Sequence, residues 1–109
     1  MCGFAGFLSR KRLPSNSSDV LKRMGEAIYS RGPDSSGEWL IEASSIGFSH
    51  RRLAVVDLSP AGDQPMMSDT GRFVIAFNGE IYNHSELREV LERDVVNITW
   101  RGHSDTETL

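Results

Sequence analysis

Residues 73–77, Phe-Val-Ile-Ala-Phe, are an unbroken apolar run that stops at Asn78-Gly79-Glu80. A short run with β-branched and aromatic residues, bounded by turn formers, predicts a strand over Arg72–Phe77. No polar residue alternates within it, so neither face suits water and the strand is expected in a buried position. Other elements must then cover it. A chain of 109 residues has room for one domain.

The remaining elements follow from period and punctuation. Residues 3–9 predict a first strand, and Arg10–Ser18 a polar loop. Val20, Leu21, Met24, Ala27 and Ile28 recur at helical spacing, predicting a helix over Asp19–Ser30. Ser18 or Asp19 is placed to cap it, and Gly32-Pro33 ends it. Residues 31–37 read as a tight turn in which Arg31 and Asp34 are placed to buttress a site. Glu38–Glu42 and Ser45–Val56 predict two strands joined near Ala43-Ser44, with Ile46, Phe48, His50 and Arg52 on one face. Asp57–Thr70, with Pro60, Gly62 and Pro65, reads as an irregular surface loop. Asn83 to Glu86 forms a capping box opening a helix from His84 to about Arg93, with Leu87, Val90 and Leu91 inward. Val95–Trp100 predicts a short strand. Ser104 to Glu107 forms a second capping box, with Asp105 in its first turn.

The totals exclude several classes. Twelve basic against fifteen acidic residues give a net charge of -3, no footprint for nucleic acid. No apolar run is long enough to cross a membrane. The basic Arg10-Lys11-Arg12 follows the first apolar stretch, the reverse of a signal peptide. A single cysteine excludes an internal disulfide and fits a reducing cytoplasm. His50, His84 and His103 lack ligand spacing with one another or with Cys2, so no metal site is expected.

That cysteine is Cys2, directly after Met1. Trimming of Met1 would leave a thiol and a free α-amine on one residue. An ordinary thiol titrates at about 8.5 and is only a few per cent thiolate at neutral pH. A neighbouring amine, titrating at about 7.7–8, serves as its base. The plain alternative is a buried structural cysteine.

Three further signals carry two readings each. Asn78-Gly79 is the strongest hairpin-turn dipeptide, or else an oxyanion site built from the Asn78 amide and the Gly79 N–H. Arg52, on an otherwise apolar strand, is a rim residue or a fork for a substrate carboxylate. Asp105 complements a helix N-terminus or reads a substrate ammonium. Taken together they describe a site for a free amino acid bearing a side-chain amide.

Five segments, MCGFAGF, RGPDSSGEW, HRRLAVVDLSPAGDQPM, FNGEIYN and RGHSDTETL, resemble the amino-terminal glutaminase domain of glutamine-hydrolysing asparagine synthetases, in the family's order. The wider group is the class II glutamine amidotransferases, among the N-terminal-nucleophile hydrolases. The resemblance implies an α+β fold, the αββα sandwich, of which residues 1–109 would be a partial domain lacking the synthetase domain. It implies L-glutamine as substrate, with Cys2 forming a γ-glutamyl thioester and releasing ammonia. Asn78 and Gly79 would assist catalysis. Arg52, Leu53, Ala54, Val55, Val56, Glu80 and Asp105 would bind substrate. No cofactor is implied for this domain; ATP and magnesium belong to the C-terminal synthetase domain that amidates aspartate. Family members often form homodimers. Asp63 departs from the expected pattern and is expected to touch no residue given a role. Two rivals stand: the glutaminase end of another class II amidotransferase, and an inert docking or folding module if Met1 is retained.

Overall fold

The computed structural model describes residues 1–109. Its main sheet has three strands: β1 (Gly3–Leu8), β2 (Ser35–Ile41) and β3 (Ile46–Arg52). β3 lies in the middle, antiparallel to both neighbours. Gly3 pairs with Arg51 and Leu8 with Ile46 on one side; Ser35 pairs with Arg52 and Ile41 with Ile46 on the other. This register has a functional consequence. The start of β1, the start of β2 and the end of β3 share one edge of the sheet, so Cys2, Asp34 and Leu53 gather there.

Alternation along β3 gives its two faces different neighbours. Helix α1 (Ser17–Ala27) lies over Gly47, Ser49 and Arg51. Leu21 packs against Gly47, and Arg51 Nε donates to the Gly25 carbonyl at 3.0 Å. The opposite face carries Trp39 stacked on Phe48, ring centroids 5.6 Å apart. Phe4 and Leu8, on that face of β1, are exposed. A second sheet pairs β4 (Met66–Met67) with β5 (Val74–Ile75). Helix α2 (His84–Asp94) and a 3₁₀ turn at Asp105–Thr108 complete a mixed fold of helices and antiparallel strands.

The apolar core is thin. Leu21 and Met66 are the only buried large hydrophobic side chains, whereas His50, Arg52, Asp57, Gln64 and Asp105 are buried polar ones. Hydrogen bonds, more than apolar contact, therefore hold the loops in place.

Several expectations need correction. β3 ends at Arg52, not Val56, because neither neighbour extends to pair with 53–56. Side chains supply the missing partners: Leu53 N–H donates to Cys2 Sγ at 3.3 Å, and Ala54 N–H to Asp34 Oδ2 at 2.8 Å. β5 is two residues long and only half-buried, with Phe73 exposed, since β4 covers one side of it alone. Asp57–Thr70 is only partly a surface loop: Leu58–Pro60, Asp63, Met67 and Asp69–Thr70 are exposed, but Asp57, Gln64 and Met66 are buried. Val95–Trp100 forms no strand; Asn97 takes φ 67°, a left-handed turn that a pleated ladder does not accommodate.

Helix starts also differ. α1 begins at Ser17, and neither Ser18 nor Asp19 caps it; Ser17 Oγ donates instead to the Pro14 carbonyl at 2.6 Å. Asn83 makes no side-chain cap for α2, and Leu87 and Val90 stay partly exposed because no sheet lies against that helix. Ser104 makes no cap either. Glu107, its expected partner, accepts the N–H groups of Arg101 at 2.6 Å and Gly102 at 3.1 Å, closing that turn from behind. Arg88 of α2 then clamps the segment, donating to Gly102 O, Ser104 O and Thr108 Oγ1 while lying over the Trp100 ring.

Candidate active site

A cleft of about 250 Å³ opens at the sheet edge where Cys2 sits. Cys2, Arg52, Leu53, Val55, Val56, Asn78, Gly79, Glu80 and Asp105 line it; Ala54 does not. Met1, Asp57, Gly62, Gln64, Phe77, Tyr82, Ser104 and Thr106 complete the wall. Segments far apart in the chain thus meet at one opening.

Cys2 is half-buried, and its sulfur is fixed by the main chain of Leu53. The Leu53 N–H donates to Sγ at 3.3 Å, and the thiol lies 3.5 Å from the Leu53 carbonyl oxygen. Met1, 78% exposed, stands beside it at the mouth. With Met1 attached, the nitrogen of Cys2 is an amide and no base; its removal would produce the α-amine next to the sulfur. Asp34, at the start of β2, holds Ala54 and so supports the segment facing Cys2.

Arg52 is the only basic residue lining the cleft, and it is 8% exposed. Its guanidinium is engaged from the loop side. Nη1 donates to Ser59 O at 2.8 Å and to Asp63 Oδ1 at 2.9 Å, and Nη2 donates to Asp57 O. Gly62 lies flat against this group: a Cβ at 62 would overlap Nη2. Asp63 therefore does touch a residue of interest, contrary to the sequence reading.

Asn78 and Gly79 follow β5 on exposed backbone at the cleft. They close no hairpin with a matching strand; the chain turns into α2 instead. Asp105 is buried and supports this loop, its Oδ2 accepting Ile81 N–H at 2.8 Å and its Oδ1 accepting Thr106 N–H at 2.9 Å. Each carboxylate oxygen keeps a second lone pair free of protein.

Two residues to which sequence reasoning gave no role tie these walls together. Gln64 Oε1 accepts Phe77 N–H at 2.6 Å while its Nε2 donates to Thr106 Oγ1 at 3.2 Å. Asp57 Oδ1 accepts the Ser59 hydroxyl and N–H, and its Oδ2 accepts His103 N–H at 2.7 Å. The Ser59 hydroxyl bond, then the His103 and Ser59 N–H groups, lower the Asp57 pKa to about 2. Behind the cleft, His50 is fully buried, its Nε2 3.4 Å from the Phe77 carbonyl and its Nδ1 without a partner. Burial lowers its pKa, outweighing the Phe77 bond. A glutamine or aspartate in a Pro/Gly loop reads as surface, so no local signal marked Gln64 or Asp57.

A family model described as a glutamine amidotransferase domain matches residues 1–109. The glutamine-hydrolyzing asparagine synthetase 1 of Bacillus subtilis (strain 168) is 40% identical over 111 residues, covering 100% of this chain and 17% of that protein. Asparagine synthetase 2 of the same organism is 39% identical over 111 residues, covering 100% of the chain and 14% of that protein. Amidase chry2 of Gibberella zeae is 31% identical over 116 residues, covering 98% of the chain and 17% of that protein. The chain thus spans less than a fifth of the length of these curated relatives. No helix is long and apolar enough to cross a membrane. With the family model matched from the first residue to the last, the chain belongs to the glutamine amidotransferase domain family.

Proposed function

We propose that this chain is the glutaminase part of an asparagine-synthetase-like enzyme, converting L-glutamine to glutamate and ammonia. The observation that carries the reading is the single cleft lined by Cys2, Arg52, Asn78, Gly79 and Asp105. Removal of Met1 frees the Cys2 α-amine, which accepts the thiol proton. The sulfur attacks the side-chain carbonyl carbon of glutamine. The Asn78 amide and Gly79 N–H donate to the resulting oxyanion, each donor contributing about 3–4 kcal/mol. Collapse breaks the C–N bond, and the α-ammonium returns its proton to the departing ammonia. Water then hydrolyses the γ-glutamyl thioester and regenerates the thiol. Arg52 holds the substrate α-carboxylate, Asp105 and Glu80 the α-ammonium side, and Leu53, Val55 and Val56 the chain between.

The same reading makes residues 1–109 part of a glutaminase domain in the αββα sandwich. The exposed Phe4 and Leu8 beside Trp39 and Phe48 fit a sheet face onto which a second sheet packs. The ammonia would pass to a synthetase domain that uses ATP and magnesium to amidate aspartate. The similarity to an amidase supports a second reading, in which the same glutaminase part serves a different acceptor.

Two measurements on the full-length protein test this. Intact mass is expected to show loss of one methionine. Cys2→Ala is expected to abolish ammonia release from glutamine while leaving the circular dichroism spectrum unchanged; turnover near wild type sinks the nucleophile assignment.

A further inference from the structure

We infer that Asp63 sets the affinity of the cleft for a carboxylate by competing for Arg52, so that it acts as a positioning and specificity-determining residue. The inference deepens the glutaminase reading and rests on it. Arg52 is the only basic side chain lining the cleft, beside the acidic Asp57, Glu80 and Asp105. Its charge is already met by Asp63 Oδ1 at 2.9 Å. The Asp63 carboxylate is held there on purpose-built geometry: Ser35 Oγ donates to the same oxygen at 2.7 Å, and Ser35 is the residue paired with Arg52 across the β2–β3 ladder. The strand register therefore fixes serine, carboxylate and guanidinium as a unit.

Asp63 itself does not line the cleft, and 44% of its side chain stays exposed. It approaches Arg52 from the rim while an incoming substrate carboxylate would approach from inside. The two anions share one guanidinium: Nη1 already serves Ser59 O and Asp63 Oδ1 and Nη2 serves Asp57 O, which leaves Nε and the second Nη2 N–H for the substrate. Each anion weakens the other's hold, because like charges at this separation repel. Partial exposure screens the effect, so it is modest. Only ligands with a charged α-carboxylate feel it. A glutamine whose α-carboxylate is capped as a neutral amide should bind indifferently to Asp63.

The test uses the full-length protein with L-glutamine and L-glutaminamide as paired substrates. Asp63→Asn, which keeps the size and the acceptor for Ser35, is expected to lower the glutamine KM about fivefold, with kcat moving less than twofold. The glutaminamide KM is expected to stay the same. Ser35→Ala, which frees Asp63 to leave Arg52, is expected to lower the glutamine KM in the same direction by a smaller factor, and stands in if Asp63→Asn does not fold. An unchanged or raised glutamine KM, or an equal shift for both substrates, overturns the inference. Wild-type protein that neither hydrolyses glutamine nor, as Cys2→Ala, binds it in calorimetry overturns the glutaminase reading and this inference together. Hydrolysis by wild type with no KM shift in either variant overturns this inference alone.

Discussion

The side-chain oxygen of Gln64 accepts the backbone N–H of Phe77 at 2.6 Å, and this bond sets where the Asn78-Gly79 backbone begins. The same side chain reaches Thr106, next to Asp105, at 3.2 Å. One buried amide thus spans two loops that line the cleft.

Gln64→Ala removes both bonds and leaves the Phe77 N–H without its partner. The expected loss is about 2 kcal/mol of stability. Glutamine turnover should fall about tenfold or more, since the Asn78-Gly79 donors drift from the oxyanion position. Urea denaturation and ammonia release measure the two effects. Wild-type kcat in a destabilised variant would show that Gln64 supports folding only.

Asn78→Ala deletes one proposed oxyanion donor from an exposed position that makes no other side-chain bond. Stability should be unchanged within about 0.5 kcal/mol. The kcat should drop about 10²–10³-fold with little change in KM, the signature of an interaction made in the transition state. Steady-state glutaminase kinetics decides; a change confined to KM would move Asn78 to substrate binding.

Arg52→Ala has two separable consequences. As the proposed carboxylate fork, Arg52 should raise the glutamine KM about 10²-fold when removed. As the buried cation holding Ser59, Asp57 and Asp63, it should also lower the melting temperature by several degrees. A melting shift without a KM shift would confine Arg52 to the loop.

Much of this frame was legible in the sequence. The first strand, a hairpin of the second and third strands and the two helices follow from period and punctuation, although β2 starts at Ser35, inside the expected turn, and β3 stops at Arg52 rather than Val56. The meeting of Cys2 with Leu53 and Asp34 follows from antiparallel pairing once those strands are placed. The supports were not legible. Gln64, Asp57 and Asp63 are polar residues among prolines and glycines; only the fold turns Gln64 and Asp57 inward and brings the exposed Asp63 onto Arg52. Val95–Trp100 failed for the opposite reason: its apolar pattern suits a strand, but no neighbour pairs with it and Asn97 turns the backbone.

Acid should loosen the molecule in two separate windows. Burial lowers the His50 pKa below 6.5, so the unfolded chain binds that proton more tightly than the fold. Its contribution is complete above about 6.5 and declines as pH falls below that value. Asp57, lowered from 3.8 to about 2, contributes above about 4 and loses that contribution as pH falls toward 2. Melting temperatures from pH 8 to 2.5 should show both declines. His50→Gln should remove the upper one and Asp57→Asn the lower; a single decline unaffected by either variant would contradict the assignment.

Gly62→Ala tests the packing that holds Arg52 in its slot. A methyl at 62 overlaps Nη2 and comes within 2.9 Å of Arg52 Cζ, while the backbone there is an ordinary 3₁₀ turn. The strain therefore falls on the guanidinium, not on glycine's own conformation. Moving it breaks the bonds to the Asp57 and Ser59 carbonyls, and an overpacked site of this kind costs about 1–3 kcal/mol. If Arg52 receives the substrate carboxylate, the displaced fork should also raise the glutamine KM about tenfold while kcat changes little. Thermal melts and kinetics on the same preparation separate the outcomes. Wild-type stability and KM together would mean that Arg52 moves aside freely, and the slot would then have no part in substrate selection.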